Sequence, residues 1–188
     1  GDTLTASNSL TDADGLSGPI SYQWQRDGTD IVGATGGTYA TTQSDVGAVI
    51  TVVASYTDDQ GTDESVTSAG TAAVTNVNDA PGGSVTIDNT TPSQGDTLTA
   101  SNTLTDVDGL SGPISYQWQR DGSNIAGATG NTYATTQNDV GAVMTVVASY
   151  TDDQGTDESV TSAGTAAVAN VNDAPGGAVT IDNTTPSQ

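Results

Sequence analysis

Carboxylates are the only charged side chains that this sequence carries in number, and they cluster. Asp106 and Asp108 stand two apart in Thr-Asp-Val-Asp-Gly, and Asp152, Asp153, Asp157 and Glu158 crowd Thr-Asp-Asp-Gln-Gly-Thr-Asp-Glu. The same groups occur 94 residues earlier as Asp12 and Asp14, and as Asp58, Asp59 and Asp63. A third source of oxygen is Asn78-Asp79, within Val-Thr-Asn-Val-Asn-Asp-Ala-Pro-Gly-Gly, a stretch that returns around Asp173. A hard divalent cation such as calcium takes about six to eight oxygens from carboxylates, carbonyls and water. Carboxylates crowded without it would repel one another and raise one another's pKa values. Each group also has a plainer reading, because aspartates in turns commonly cap their own backbone. Asp-x-Asp-Gly is not an EF-hand loop here, since the later carboxylates and the glutamate at position 12 are missing.

Other chemistries lack their residues. The chain has 23 acidic residues against Arg26 and Arg120, a formal charge of −21, and no histidine, lysine or cysteine. Thiolate metal sites are therefore excluded, and for catalysis only carboxylates, tyrosines and hydroxyls could act. A two-carboxylate glycosidase would need one asymmetric cleft, whereas these acids appear twice. No phosphate-cradling glycine loop or nucleophile elbow occurs. The reading is not an enzyme, with no small-molecule substrate. So acidic a surface repels nucleic acid and anionic membranes and attracts divalent cations. No stretch approaches the roughly 20 apolar residues of a membrane span. No signal peptide stands at Gly1, which suggests an internal piece of a longer protein.

The elements that must position these acids follow from the repeat. Subtracting 94 from a second-half position returns its first-half counterpart with ten differences, Ile50/Met144 and Ser84/Ala178 among them. A period of that length suits one small β-sandwich rather than a solenoid turn. Pro81 fixes its own φ and biases Ala80 away from helix, and two glycines then free the backbone, as in a short domain junction. The expected domains are 1–79, 80–173, and 174–188 as the first strand of a following repeat. Alternation predicts strands at 84–88 and 97–101, then one with Ile114, Tyr116 and Trp118 on one face. Asp121-Gly122 signals a hairpin. Residues 125–128 continue it, and Tyr133 starts another strand. The longest strand places Met144, Val146, Ala148 and Tyr150 on one face, and residues 159–168 form the last. About seven strands and no helical period predict an all-β antiparallel sandwich, with Trp118 pinning the core. Asp88, Asp121 and Asp139 read as turn or surface residues, and Arg26 and Arg120 as structural or solvated ones.

Tyr-Gln-Trp-Gln-Arg-Asp-Gly at 22–28 and 116–122, Asp-Val-Gly at 45–47 and 139–141, and Tyr-Thr-Asp-Asp-Gln-Gly at 56–61 and 150–155 carry a resemblance. Together they resemble the bacterial immunoglobulin-like repeats of giant RTX-type surface adhesins. The Asn-Val-Asn-Asp-Ala-Pro junction is similar to the calcium-binding linker of cadherin-like domains, with Ala80 where that pattern usually carries a second asparagine. The resemblance spans the whole chain. It implies tandem immunoglobulin-like sandwiches in an extracellular extender at the bacterial cell surface. There, many copies form a rod, stiffened by calcium at the junctions, that holds a distal binding domain away from the cell.

Strand order in such a sandwich places the loop after the second strand, and the loop between the last two, at the end where the domain begins. Asn78 and Asp79 are therefore expected to meet Asp106 and Asp108, and Asp152, Asp153, Asp157 or Glu158, around calcium. The expected partners are neighbouring repeats, head to tail. The first copy lacks a counterpart of residues 84–88. Residues 178–188, which repeat that stretch, are expected to dock on the first unit of a neighbouring molecule. Asp173 would then meet Asp12, Asp14, Asp58 and Asp59 of that molecule. Two functions stay open: a calcium-bound structural spacer, or a repeated module that binds carbohydrate or a surface.

Overall fold

A computed structural model describes residues 1–188. The chain divides into two compact units, Gly1–Ala80 and Pro81–Gln188, each described here by itself. Unit 1 contains β1 (Thr3–Thr5), β2 (Ser21–Arg26), β3 (Thr29–Asp30), β4 (Thr38–Ala40), β5 (Ile50–Thr57) and β6 (Asp63–Thr67). Unit 2 contains β7 (Val85–Ile87), β8 (Thr97–Asn102), β9 (Ser115–Arg120), β10 (Ser123–Asn124), β11 (Thr132–Ala134), β12 (Met144–Thr151) and β13 (Asp157–Thr161). A single 3-10 turn in each unit, Gln43–Asp45 and Gln137–Asp139, is the only helical structure.

The fold is all-β and its sheets are antiparallel. In unit 2 one sheet runs β10-β9-β12-β13 and the other β11-β8-β7. Val85, Ile87, Leu98 and Ala100 from the smaller sheet share one hydrophobic cluster with Trp118, Met144, Val146 and Ala148 from the larger. This is a sandwich-like arrangement, in which alternate residues of each strand point inward. The alternation along β12 is complete: Met144, Val146, Ala148 and Tyr150 are all buried. Trp118 is fully buried. Its Nε1 donates to the Gly130 carbonyl at 2.9 Å, and its ring stacks on Tyr133 with centroids 5.8 Å apart. Tyr116 lies at the margin of that core, where its hydroxyl accepts from Asn102 Nδ2.

Turn chemistry sets the registers. Asp121 and Gly122 both have positive φ, 47° and 77°, as a two-residue type I′ hairpin requires, and Arg120 pairs with Ser123 across the turn. The continuation is shorter than the sequence suggests. β10 is two residues long, because Gln117 Nε2 donates to the carbonyls of Trp118 and Ile125 and ties residues 125–128 into a loop.

The last strand also differs from expectation. β13 stops at Thr161, and residues 162–167 are irregular. The ladder continues through hydroxyls: Val146 N–H donates to Ser162 Oγ at 3.0 Å and Met144 N–H to Thr165 Oγ1 at 3.1 Å. Side-chain oxygens here replace backbone carbonyls as acceptors, and the chain stays beside β12, with the Ser162 and Thr165 amides donating to the Val146 and Met144 carbonyls. It then runs parallel to residues 90–94, with Ala166 N–H donating to Thr90 O, Ala169 N–H to Pro92 O and Gln94 N–H to Ala169 O. Val168 also bridges in parallel to Val140.

Unit 1 repeats this plan with sheets β3-β2-β5-β6 and β1-β4. Its first residue, Gly1, is the counterpart of Gly95, which follows β7 in unit 2. Ile50 fills the buried place that Met144 takes in unit 2, a swap of similar volume that cores tolerate well.

Candidate functional site

The acidic residues of unit 2 lie on two loops that touch. The first, residues 105–111, connects β8 to β9. The second, residues 152–156, connects β12 to β13. Asp106 Oδ1 accepts the Asp108 N–H at 2.9 Å, which folds the first loop on itself, and Oδ2 accepts the Tyr150 hydroxyl. Asp153 Oδ1 accepts both the amide and the hydroxyl of Ser111, at 3.1 and 2.5 Å. These bonds hold the Asp153 carboxyl below the ordinary carboxylate value, the hydroxyl contributing most. Gly109 makes the clasp possible. It has φ +95°, and a Cβ there would stand 2.3 Å from Asp153 Oδ2.

Asp152 is the anchor of the second loop. Its Oδ1 accepts the amides of Gln154 and Thr156 at 2.9 and 2.7 Å. Its Oδ2 is buried and makes no hydrogen bond, and the residue as a whole is only 5% exposed. An anionic oxygen without a donor is costly in a buried place. Asp108 is also buried. Asp157 is exposed, and its Oδ1 accepts the Thr151 hydroxyl at 2.7 Å. The phenol of Tyr150 is pushed upward by burial first, then by its bond to Asp106, with Glu158 and Asp152 adding to it.

The first unit reproduces the clasp. Asp12 accepts from the Asp14 amide and the Tyr56 hydroxyl, both at 2.8 Å, and is held below the ordinary carboxylate value by these bonds. Tyr56 is pushed up to about 12, by Asp12 first and then by burial. Asp58 caps Gln60 and Thr62, Asp59 takes Ser17, and Asp63 takes Thr57. One difference stands out: Asp14 is exposed where Asp108 is buried. In unit 2 the segment from Pro81 lies against this loop, with Gly82 paired to Thr105.

The remaining candidates sit near the ends of their units. Asn78 and Asp79 are exposed in the last residues of unit 1, just after Asn76, whose side chain accepts from Gln43 Nε2 at 3.2 Å. Asp173 accepts from Gln94 Nε2 at 3.0 Å. Within neither unit do three acidic side chains converge as a ready metal cage. The aspartates spend most of their acceptor capacity on backbone amides and hydroxyls, as turn aspartates do.

Another acidic position differs from the sequence reading outright. Asp139 is not a surface turn residue but fully buried, and so is Asp45 in unit 1. Asp139 Oδ1 accepts Arg120 Nε at 2.7 Å, and Arg120 pairs with it through a second nitrogen as well. Oδ2 accepts the amide and hydroxyl of Thr136 at 2.7 and 2.8 Å and the Tyr133 hydroxyl at 2.9 Å. Burial pushes Asp139 upward. The Thr136 amide, Arg120, the Thr136 hydroxyl and Tyr133 outweigh it and hold the carboxyl below its ordinary value. One signal in the sequence bears on it: each strongly acidic repeat carries a single arginine, which a buried carboxylate can take as its partner.

No protein-family model matches the chain, and no curated protein matches it.

Proposed function

We propose that the chain is a pair of immunoglobulin-like spacer repeats whose specific ligand is calcium, from the extender of a bacterial surface adhesin. The observation that carries the reading is Asp152 Oδ2, a buried carboxylate oxygen without a hydrogen-bond donor, on a loop that touches the one carrying Asp106 and Asp108. Neither arginine is spare to neutralise it, since Arg26 pairs with Asp45 and Arg120 with Asp139. A hard cation supplies the missing positive charge and takes oxygen ligands of this kind. In this reading Asp106, Asp108, Asp152 and Asp153 hold it in unit 2, and Asp12, Asp14, Asp58 and Asp59 are the equivalents in unit 1. Asn78 and Asp79, at the end of unit 1, are further oxygen ligands that the sequence offers to calcium. Asp157, Asp63 and Glu158 form an acidic margin that concentrates cations.

A spacer requires stable repeats with little other chemistry, and the twofold use of one unit suits it. In the competing reading as a ligand-binding module, the tryptophans would offer the natural contact surface, but Trp24 and Trp118 are both buried. Calcium titration followed by melting and small-angle scattering tests the proposal, with Asp152→Asn and Asp79→Asn titrated separately. A binding isotherm unchanged in Asp152→Asn removes that residue from the site. A glycan array that captures the folded chain would favour the module.

A further inference from the structure

In each unit the larger sheet ends on a strand with one side unpaired. In unit 2 this is β13, last in the order β10-β9-β12-β13, and in unit 1 it is β6, last in β3-β2-β5-β6. A whole repeat, from Pro81 to Asp173, is present in unit 2, and β13 pairs there with β12 alone. The open edge is therefore a property of the complete repeat.

The ladder fixes which backbone groups face outward. Asp152 N–H donates to Thr156 O at 2.8 Å, and Ser162 N–H donates to Val146 O at 2.9 Å. Hydrogen-bonded pairs alternate with non-bonded pairs in an antiparallel ladder, so Glu158 and Val160 turn their amides and carbonyls to β12. Those of Asp157, Ser159 and Thr161 turn outward. The side chains of these three are exposed, on the face away from the core, whereas Val160 packs against the core.

The same strand borders a groove of about 610 Å³, lined by Pro113, Ser115, Ser149, Asp157, Glu158 and Ser159. Its three serines form a row across three strands, since Ser149 lies opposite both Ser115 and Ser159. Unit 1 has the equivalent groove, about 590 Å³, with Asp63 and Glu64 as its acids. No positive charge is spare to balance them: the chain lacks lysine, and both arginines are paired with buried aspartates. Charged side chains on an open edge keep like edges apart. Acids do this against another copy of this chain but attract a basic strand, so the edge selects its partner by sign.

We propose that β13, and β6 in unit 1, take up an extended basic segment of another protein as an added strand. The backbone of that segment pairs with the outward groups of Ser159 and Thr161. Its lysine or arginine side chains enter the groove beside Asp157 and Glu158, and the alternate apolar residues lie beside Val160. In strand addition the backbone bonds supply affinity and the alternate side chains supply selectivity. The contact needs no calcium and is expected to persist in chelator.

The test is titration of the 188-residue chain, in chelator, with a labelled peptide Lys-Val-Lys-Val-Lys-Val-Lys, read by fluorescence anisotropy and hydrogen exchange. Binding is expected to slow exchange of the Ser159 and Thr161 amides and to weaken as salt rises. Asp157→Asn/Glu158→Gln is expected to bind several-fold more weakly at unit 2. Ser159→Pro removes an outward amide, at an edge where proline is tolerated, and is expected to abolish the protection of Thr161. A peptide with glutamate in place of every lysine is expected not to bind. A lysine peptide that fails to bind overturns the proposal. So does equal binding of the glutamate peptide, or affinity at unit 2 unchanged in Asp157→Asn/Glu158→Gln. Binding that leaves Ser159 and Thr161 exchange unchanged also overturns it, since amines drawn to an acidic surface without strand pairing would give that result.

Discussion

Replacing Asp139 by alanine removes the acceptor for four donor groups at once: the Thr136 amide, the Thr136 hydroxyl, the Tyr133 hydroxyl and the Arg120 guanidinium. Breaking a buried pair by deleting one partner costs about 3–5 kcal/mol. Arg120 keeps 34% of its side chain exposed and can rehydrate, so the lower half of that range applies, about 3–4 kcal/mol. That is a large share of the roughly 5–15 kcal/mol that holds a small domain. The melting temperature of unit 2 is expected to fall by at least about 12 °C, taking roughly 4 °C per kcal/mol for a domain of this size. Urea denaturation followed by tryptophan fluorescence reads the loss, since Trp118 stacks on Tyr133 beside the pair. Asp157→Ala, at an exposed residue, is the control and is expected to cost little. The sign with pH follows from the depressed carboxyl. Its contribution is complete above the unfolded aspartate value of about 3.9 and disappears as pH falls through the lower folded value. Asp139→Asn is expected to flatten that acid limb. An Asp139→Ala variant as stable as Asp157→Ala, with the acid limb unchanged, would refute the argument.

Three further outcomes are expected. Trp118→Ala leaves a cavity beneath both sheets and an unpaired Gly130 carbonyl, at a cost of about 3–5 kcal/mol by denaturant titration. Calcium at about 10 mM contributes roughly 1.4–2.7 kcal/mol per site if the affinity is that of extracellular modules, so differential scanning calorimetry should show melting rise with calcium and fall with chelator. Gly109→Ala meets both the positive φ and Asp153 Oδ2, and is expected to open the Ser111 clasp. Its thermal loss of about 1–3 kcal/mol should come with weaker calcium binding in a titration.

Period-two alternation was enough to place Trp118, Met144, Val146 and Ala148 in one core, because inward facing is a local property of a strand. Asp121-Gly122 was equally legible, since two successive positive φ values restrict the residues that fit. The end of β13 was not. Ser162 and Thr165 read as ordinary strand residues until their hydroxyls are seen to accept the amides that backbone carbonyls would otherwise take. Asp139 misled for a related reason. Its bond to Thr136 is local and gives the pattern of a surface turn, while its burial depends on Arg120 and Tyr133, which arrive from other strands. At the acidic end the sequence named the two loops that touch. It did not show that their contact runs through Ser111 and Tyr150 rather than from carboxylate to carboxylate.

The parallel run of residues 90–94 beside 166–169 has a mechanical meaning. The chain enters unit 2 ahead of the first segment and leaves it after the second, and the two segments point the same way. Tension applied at the two ends of the unit therefore slides them past each other along their length. The bonds from Ala166 to Thr90, Ala169 to Pro92 and Gln94 to Ala169 then carry the load together. A hairpin pulled from its open end gives way one bond at a time; this seam must lose all three at once, with buried Pro92 dragged out from among its neighbours. Unit 2 is thus braced along the line on which a tether would pull it.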